Sequence, residues 1–310
     1  MLTTSQIQLA ARPIDPLVPC VAGRYADELV LVTHEDTPGG VGLPAAPVVR
    51  TAHFVVRRDG RRVEVGHWLR PGELDNNLAG LLADELFTPG WLSGAEIFER
   101  VFTGVVRSCV ADAMPAWLTF YTNTMSRIRE CWRSPGGASQ PQTPIADFAA
   151  IYRRALRLIP PGRVLDIGSG FGFLALLLAR RRQGSVVAAD LSPGSMRLLG
   201  SVAGAFRAPV ETLVCDAAQV PLPTASVDTV AAIHLLEHLG AEDCERTVRE
   251  AIRLARCRVV VAVPFEQEPT AAFGHIQTFS HADLARLGRS CGRRFRVSEH
   301  YGGWLVMHTG

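Results

Sequence analysis

The sequence contains no lysine, so all 32 of its lysine-or-arginine residues are arginine. Chemistry that needs a lysine amine is therefore excluded. The chain cannot form a Schiff base with pyridoxal phosphate, and it lacks the lysine of the phosphate-binding loop of nucleotide hydrolases. An excess of one charge is also missing, since the formal net charge is only +2. A balanced chain has no basic field for nucleic acid and no polybasic tail for an anionic membrane.

The chain also lacks paired cysteines and long apolar runs. None of its seven cysteines belongs to a Cys-x-x-Cys pair, which favours reduced thiols in a cytoplasmic protein. The first twenty residues carry three prolines instead of a basic segment and an apolar run, so we expect no secretion signal. No stretch is long enough to span a bilayer. The sequence thus predicts a cytoplasmic protein with neither a membrane nor a nucleic-acid partner.

Apolar residues are abundant and fall into two regions. They make up 47% of the 310 residues, enough for the cores of two ordinary domains. Chain breakers cluster in residues 134–144, which we interpret as a linker. Ahead of it, alternation around Asp59-Gly60 predicts a hairpin, and helical spacing runs from Asp75 to Arg129. We predict a smaller N-terminal α+β domain over residues 1–133 that faces the substrate.

Strand and helix patterns alternate after the linker, over residues 145–310. This alternation is typical of an α/β domain with a mostly parallel, Rossmann-like sheet. Two later strands, Phe295–Glu299 and Trp304–His308, are predicted to pair antiparallel at the sheet edge. The parallel strands are predicted at Val164–Ile167, Ser185–Asp190, Val210–Cys215, Val227–His234 and Arg258–Val263.

The segment 164–172 is the most informative, because an apolar strand runs into three glycines and then into an apolar helix. Glycine lets the backbone turn sharply and approach a ligand, and the helix N-terminus presents unpaired N–H groups. The dinucleotide fingerprint Gly-x-Gly-x-x-Gly, begun at Gly168, would need glycine where Phe173 stands. This mismatch speaks against a nicotinamide-dependent oxidoreductase.

Gly168-x-Gly170-x-Gly172, preceded by Asp166, resembles motif I of the class I S-adenosylmethionine-dependent methyltransferases. Further matches follow in that family's order after the next three strands. The resemblance covers residues 145–310 and implies a methyltransferase whose cofactor is S-adenosylmethionine. In the family the acid at Asp190 binds both ribose hydroxyls. The residues implied to bind the cofactor are Asp166, Gly168, Ser169, Gly170, Gly172, Asp190, Leu191, Asp216, Ala217 and His234.

Two of the acids in this region also have a structural interpretation that involves no ligand. Asp166 is also suited to brace the glycine loop by accepting hydrogen bonds, and Asp228 lies at the start of its predicted strand. Ligands bind at the carboxyl ends of parallel strands, which favours Asp190, Asp216 and His234 as the functional residues.

Three histidines are candidates for the catalytic base: His234, His238 and His275. A hydroxyl acceptor must lose its proton during methyl transfer, and histidine titrates in the right range. The alternative for each is a packed or surface residue. His-x-x-Glu-His at 234–238 also fits a zinc peptidase, but that pattern needs one continuous helix. Glu266, Glu268 and His275 suit sugar hydroxyls, a divalent ion or solvent, so we assign no metal ligand from the sequence.

The acceptor is suggested by a second resemblance. Several short segments are similar to the mycofactocin oligosaccharide methyltransferases of actinobacteria, which implies a glucose-chain hydroxyl as acceptor. Another small molecule, such as a quinone or polyketide, and a non-catalytic binding module stay open as alternatives. Tryptophans concentrated before the linker stack well on sugars but are also ordinary core residues. The similar segments are residues 75–80, 85–87, 89–91, 119–121, 274–275 and 302–304.

Overall fold

The computed structural model describes residues 12–21, 23–35, 49–59, 62–110, 112–133, 143–181 and 184–310. The chain divides into two compact units, residues 1–120 and 121–310. Apart from Thr143 and Pro144, the linker predicted at 134–144 lies outside the described residues, so the domain boundaries stay a prediction. Within the described ranges no helix combines the length and apolarity that crossing a membrane requires.

The first unit contains a five-stranded sheet in the order β1-β2-β5-β4-β3. Strands β4 and β5 pair antiparallel, as the predicted hairpin requires, although its turn at Gly60 lies outside the described residues. Strand β2 runs parallel to β5, a pairing between strands that are distant in sequence. The strands are β1 (Arg24–Ala26), β2 (Val30–His34), β3 (Val49–Arg50), β4 (Phe54–Asp59) and β5 (Arg62–His67).

Helices follow the sheet, as the apolar spacing after Asp75 predicts. Helix α1 (Leu78–Leu82) continues into a π-helical turn over Ala83–Phe87. Helix α2 (Ala95–Cys109) buries Val101 and Val105, one turn apart on its apolar face. Helix α3 (Ala113–Arg133) crosses from the first unit into the second.

The second unit alternates strands and helices. Each parallel strand is bounded close to its predicted position, and β10 begins three residues earlier than expected. The elements are α4 (Pro144–Leu158), β6 (Val164–Ile167), α5 (Phe173–Arg180), β7 (Val186–Asp190), α6 (Pro193–Ala205), β8 (Val210–Val214), β9 (Val227–Ile233), α7 (Ala241–Leu254), β10 (Ala255–Val263), α8 (His281–Ser290), β11 (Arg294–Glu299) and β12 (Gly303–His308).

These strands form one seven-stranded sheet in the order β11-β12-β10-β9-β6-β7-β8. The five strands from β10 to β8 are parallel, and β12 runs antiparallel to both β10 and β11. This arrangement confirms the predicted mostly parallel, Rossmann-like sheet with an antiparallel pair at its edge. The chain reverses its direction of travel across the sheet between β6 and β9, and ligands bind at such a switch point.

The central strands are buried because they read as almost continuous apolar runs. Leu165 of β6, Val230 of β9 and Val261 of β10 have no exposed surface. Parallel strands covered on both faces need such runs. Burial of these three strands fixes their carboxyl ends, and therefore fixes the loops that follow them.

Helix α8 begins with a capping box formed by Ser280 and Asp283. The Ser280 hydroxyl accepts a hydrogen bond from the Asp283 amide, and the Asp283 carboxylate accepts one from the Ser280 amide. Both bonds satisfy donors that a helix N-terminus otherwise leaves unpaired. The cap sets the point at which the chain leaves the long loop after β10.

Replacing Ser280 with alanine removes this cap. We expect Ser280→Ala to lower the free energy of unfolding by about 1 kcal/mol, measured by chemical denaturation. Ser201→Ala is the matched control, because Ser201 is an exposed residue inside helix α6 whose hydroxyl bonds only to the preceding turn. Equal stability of the two variants would contradict a stabilising role for the cap.

Candidate active site

Three glycines shape the loop between β6 and α5. The φ angles are 67° at Gly168, 54° at Gly170 and 73° at Gly172, the left-handed region that other residues rarely adopt. A Cβ atom at Gly168 would lie 2.6 Å from the Leu235 side chain, whereas a Cβ atom at Gly170 meets no atom within 4 Å. The loop therefore packs against the protein at Gly168 and borders open space at Gly170.

The carboxylate of Asp190 holds this loop against the end of β7. Its Oδ2 accepts a 2.9 Å hydrogen bond from the Gly170 amide, and its Oδ1 accepts one of 2.9 Å from the Ser192 amide. The Ser169 amide donates to the carbonyl of Ala189 at 3.0 Å. Each carboxylate oxygen can accept a second hydrogen bond, so Asp190 retains capacity for ligand hydroxyls beside the open space at Gly170.

Asp166 lies beneath the loop with only 3% of its surface exposed. It accepts a 2.8 Å hydrogen bond from the Ser169 hydroxyl. Burial raises the pKa of Asp166 to about 7; the Ser169 bond opposes this rise, and the charge of Asp190 adds to it. Burial and the charge of Asp166 also raise the pKa of Tyr152. Asp166 is thus placed to brace the loop from inside, as its alternative interpretation requires.

The remaining predicted cofactor residues follow β7 and β8. Leu191 is 74% exposed, an unusual environment for a large apolar side chain. Asp216 is exposed, and its Oδ1 accepts a 2.8 Å bond from the Ala218 amide, while Ala217 packs partly against the core. The Cys215 amide donates to the Asp190 carbonyl at 3.0 Å. These residues therefore share the carboxyl edge of the sheet with the glycine loop.

Asp228, in contrast, begins strand β9 at the opposite edge. Its Oδ2 accepts a 2.7 Å bond from the Arg163 amide, and its Oδ1 accepts a 3.0 Å bond from the Arg256 guanidinium. The side chain joins two chain segments near the amino ends of the parallel strands, which is a structural task.

His234 follows β9 in a strained backbone conformation. Its φ is 57°, and its amide donates to the carbonyl of Ala262 at 2.8 Å. Non-glycine residues in this region are uncommon, and they concentrate at functional sites. The ring centroid lies 5.2 Å from that of Phe148, and Nδ1 lies 3.2 Å from Oε1 of Glu237. Nε2 is buried without a hydrogen-bond partner among the described residues.

His238 and His275 meet on the other side of Glu237, with ring centroids 4.9 Å apart. Nδ1 of His238 lies 3.2 Å from the carbonyl of Gly274, and Nδ1 of His275 lies 2.8 Å from Oε2 of Glu266. Partial desolvation of its ring lowers the pKa of His238, which favours the neutral form. All three predicted histidines therefore lie around one turn, although His234 is separated from the other two by Glu237.

The same turn argues against the zinc peptidase alternative. His234 follows a strand, and only the three residues Leu236–His238 form a short 3₁₀ turn. The two histidines of the His-x-x-Glu-His pattern therefore do not project from one continuous α-helix, which that site needs.

Three aromatic residues contribute to this region, although no sequence pattern assigned them to the glycine loop. The Tyr121 hydroxyl donates a 2.7 Å bond to the carbonyl of Phe171 in the glycine loop. Phe148 and Tyr152 lie on α4 with ring centroids 5.6 Å apart. Phe148 and Tyr152 have the spacing of residues on the apolar face of a helix. That spacing does not predict which loop the helix packs against. In the sequence, Glu237 was noted only as the glutamate of the zinc peptidase pattern.

The raised pKa of Asp166 makes a testable prediction about stability. Between its ordinary value of 3.8 and about 7 the folded chain binds more protons at this carboxyl than the unfolded chain. Its contribution to stability is therefore present at low pH and is lost as pH rises through this window. We expect the free energy of unfolding of the wild type, minus that of Asp166→Asn, to fall between pH of about 5 and about 7.

Chemical denaturation followed by circular dichroism at both pH values measures this difference. Glu242→Gln, which changes an exposed carboxylate on α7, is the control and should not reproduce the trend. A difference that does not vary with pH would show that Asp166 ionises at its ordinary value.

Comparison with known proteins agrees with this geometry. A family model described as a methyltransferase domain matches residues 164–257. The chain is 30% identical over 105 residues to ajmaline N-methyltransferase of Rauvolfia serpentina, covering 33% of this chain and 35% of that protein. It is 34% identical over 127 residues to demethylmenaquinone methyltransferase of Thermus thermophilus, covering 39% and 57%. The matches thus span between about a third and just over half of these relatives' own length.

Solved structures are also among the similar proteins. An S-adenosylmethionine-dependent methyltransferase from Aquifex aeolicus is 18% identical with a TM-score of 0.44, covering 59% of this chain and 96% of that one. Magnesium protoporphyrin IX methyltransferase from Synechocystis, solved with bound S-adenosylmethionine, is 17% identical with a TM-score of 0.41, covering 60% and 95%. Residues 164–257 thus match a methyltransferase domain.

Proposed function

We propose that this protein transfers the methyl group of S-adenosylmethionine to a hydroxyl oxygen of a sugar, in the glucose chain of the mycofactocin oligosaccharide. The observation that carries the transfer reaction is the open space at Gly170, bordered by the Asp190 carboxylate, within a domain that matches methyltransferases. A Cβ atom would occupy this space, so the loop is shaped to admit a ligand close to its backbone.

The residues at the carboxyl edge of the sheet suit the separate chemical groups of S-adenosylmethionine. The free lone pairs of Asp190 suit the two ribose hydroxyls, and the loop at Ser169 and Gly170 suits the amino acid end. Exposed Leu191 offers an apolar surface for the adenine ring, and Asp216 offers an acceptor for its amine. When bound, the cofactor supplies an electrophilic methyl group on a sulfonium.

The histidines supply the other half of the reaction. The acceptor oxygen forms a bond to the methyl carbon as the carbon–sulfur bond breaks, and the hydroxyl proton passes to a base. His234 is the strongest of the three candidates, because its Nε2 has no hydrogen-bond partner in the described chain and its Nδ1 faces Glu237. The products are a methyl ether and S-adenosylhomocysteine.

The identity of the acceptor rests on the resemblance in the first unit and around residues 274–275 and 302–304. Of the tryptophans there, Trp91 is 41% exposed and is free to stack on a sugar face, whereas Trp117 is fully buried. A quinone acceptor is the second candidate. The observation that favours it is the 34% identity to a demethylmenaquinone methyltransferase over 127 residues.

Asp190→Ala tests the cofactor site. We expect it to weaken binding of S-adenosylmethionine and S-adenosylhomocysteine by about 1–3 kcal/mol, because ribose hydroxyls would lose their acceptor. Isothermal titration calorimetry measures the loss. Glu211→Gln, an exposed acid on the neighbouring strand β8, is the control and should bind as the wild type does. Equal affinity in Asp190→Ala and the wild type would remove Asp190 from this role.

A methyl-transfer assay with the full chain tests the acceptor and the base. Glucose oligomers and the mycofactocin oligosaccharide are compared with a demethylated quinol, and mass spectrometry locates the added methyl group. We expect His234→Gln to lower kcat about 10²–10⁴-fold, with smaller losses at high pH, where hydroxide replaces part of the missing base. Methylation of the quinol alone would replace the sugar proposal with its alternative, and full activity of His234→Gln would exclude it as the base.

A further inference from the structure

Glu237 is a buried carboxylate without hydrogen bonds. None of its surface is exposed, and neither Oε1 nor Oε2 has a hydrogen-bond partner among the described residues. The 3.2 Å approach of His234 Nδ1 to Oε1 does not meet hydrogen-bond geometry. Buried carboxylates are normally paired or bound to a metal, because removing an ionised group from water is costly. A cation close to Glu237 would satisfy this carboxylate.

Two histidines converge on this carboxylate. Glu237, His238 and His275 each offer one ligand atom, and these three atoms all lie within 4.8 Å of one another. Ligands around one divalent ion are separated by about 3–4 Å when metal–ligand distances are about 2.0–2.2 Å, so small side-chain rotations close the site.

The surroundings of both rings match those of metal-binding histidines. Such histidines donate one ring N–H to a carbonyl or carboxylate and bind the metal through the other nitrogen. Nδ1 of His238 faces the Gly274 carbonyl, and Nδ1 of His275 faces Glu266. Glu266 is oriented in turn by a 2.7 Å bond from the Thr270 hydroxyl. In both rings Nε2 is the nitrogen left to bind a metal.

The loop that carries His275 is attached to the turn that carries Glu237. The Ile276 amide donates a 2.9 Å hydrogen bond to the Glu237 carbonyl. The side-chain amide of Gln277 donates to the carbonyls of Leu236 and Leu239. These bonds hold residues that are distant in sequence at a fixed separation before any ion arrives, which is the preorganisation that a metal site needs.

We propose that Glu237, His238 and His275 bind one divalent transition metal ion, of which Zn²⁺ and Mn²⁺ are the probes. Two imidazoles and a carboxylate suit borderline first-row ions better than Mg²⁺, which prefers oxygen ligands. Three protein ligands leave positions open, and adjacent hydroxyls of an acceptor can occupy them. The metal then positions the acceptor and lowers the pKa of its hydroxyl, a role that rests on the proposed methyl transfer.

Metal binding is measured on the full chain after treatment with a chelator, without cofactor or acceptor, so that a failure of the proposed methyl transfer leaves this test intact. We expect about one equivalent of Mn²⁺ or Zn²⁺ by calorimetry, and binding of Mg²⁺ at least about tenfold weaker. Glu237→Gln and His275→Ala should weaken binding at least about 100-fold, and Glu266→Gln about tenfold.

Two controls separate this site from other ligands in the chain. Glu268→Gln changes an exposed acid in the same loop and should bind as the wild type does. Cys109 belongs to a second cluster of potential ligands, which it forms with His34 and His67 in the first unit. Cys109→Ser should therefore still bind one equivalent of metal at Glu237, His238 and His275. Loss of binding in Cys109→Ser with wild-type binding in His275→Ala would overturn the proposal.

Thermal unfolding distinguishes a metal from a protonated His234 as the partner of Glu237. If a metal is the partner, Glu237→Gln is at least as stable as the metal-free wild type, and Mn²⁺ raises the Tm of the wild type only. If His234 is the partner, Glu237→Gln lowers the Tm with or without metal, which overturns the proposal. Methyl transfer that is unchanged after chelation, in protein shown to be metal-free, would overturn the role in positioning the acceptor.

Discussion

The hydrogen bond from the Gly170 amide to the Asp190 carboxylate is the contact on which the carboxyl edge of the seven-stranded sheet depends. It joins the loop after β6 to the end of β7 at 2.9 Å and holds a backbone that has three left-handed residues. Glycine is needed at Gly168 because a side chain there would collide with Leu235, and at Gly170 because the open space lies beside it. With the loop held, α5 begins at a fixed point, and so the direction of its first free N–H groups is also fixed.

Most of the second unit was predictable because its strands are buried on both faces. An apolar run such as Val164–Ile167, followed by glycines and an apolar helix, leaves few alternatives, and its predicted bounds agree with the structure. The first unit was less predictable. The parallel pairing of β2 with β5 leaves no local signal, and the π-helical turn at Ala83–Phe87 has the same apolar spacing as an ordinary helix. Local pattern identifies elements, whereas pairing between distant segments depends on the whole fold.

The same limit divides the residues of the candidate site. Asp190 was identifiable because it closes the second predicted strand, where the resembled family has an acid, and the structure places it against the glycine loop. The grouping of Glu237 with His275 was not identifiable. It depends on the hydrogen bond from Ile276 to Glu237, a tertiary contact between the turn after β9 and the loop after β10. The sequence pattern pointed instead to His234 and His238, which a 3₁₀ turn prevents from sharing a helix.

The turn after β9 brings the proposed base and the proposed metal site together. Nδ1 of His234 lies 3.2 Å from Oε1 of the buried Glu237, so the proposed base and the proposed metal ligand are in direct contact. Glu237, His238 and His275 offer ligand atoms within 4.8 Å of one another, so an ion bound there would lie close to the His234 ring. The left-handed φ of 57° at His234 occurs where the chain leaves β9, three residues before Glu237, and such conformations are concentrated at functional sites.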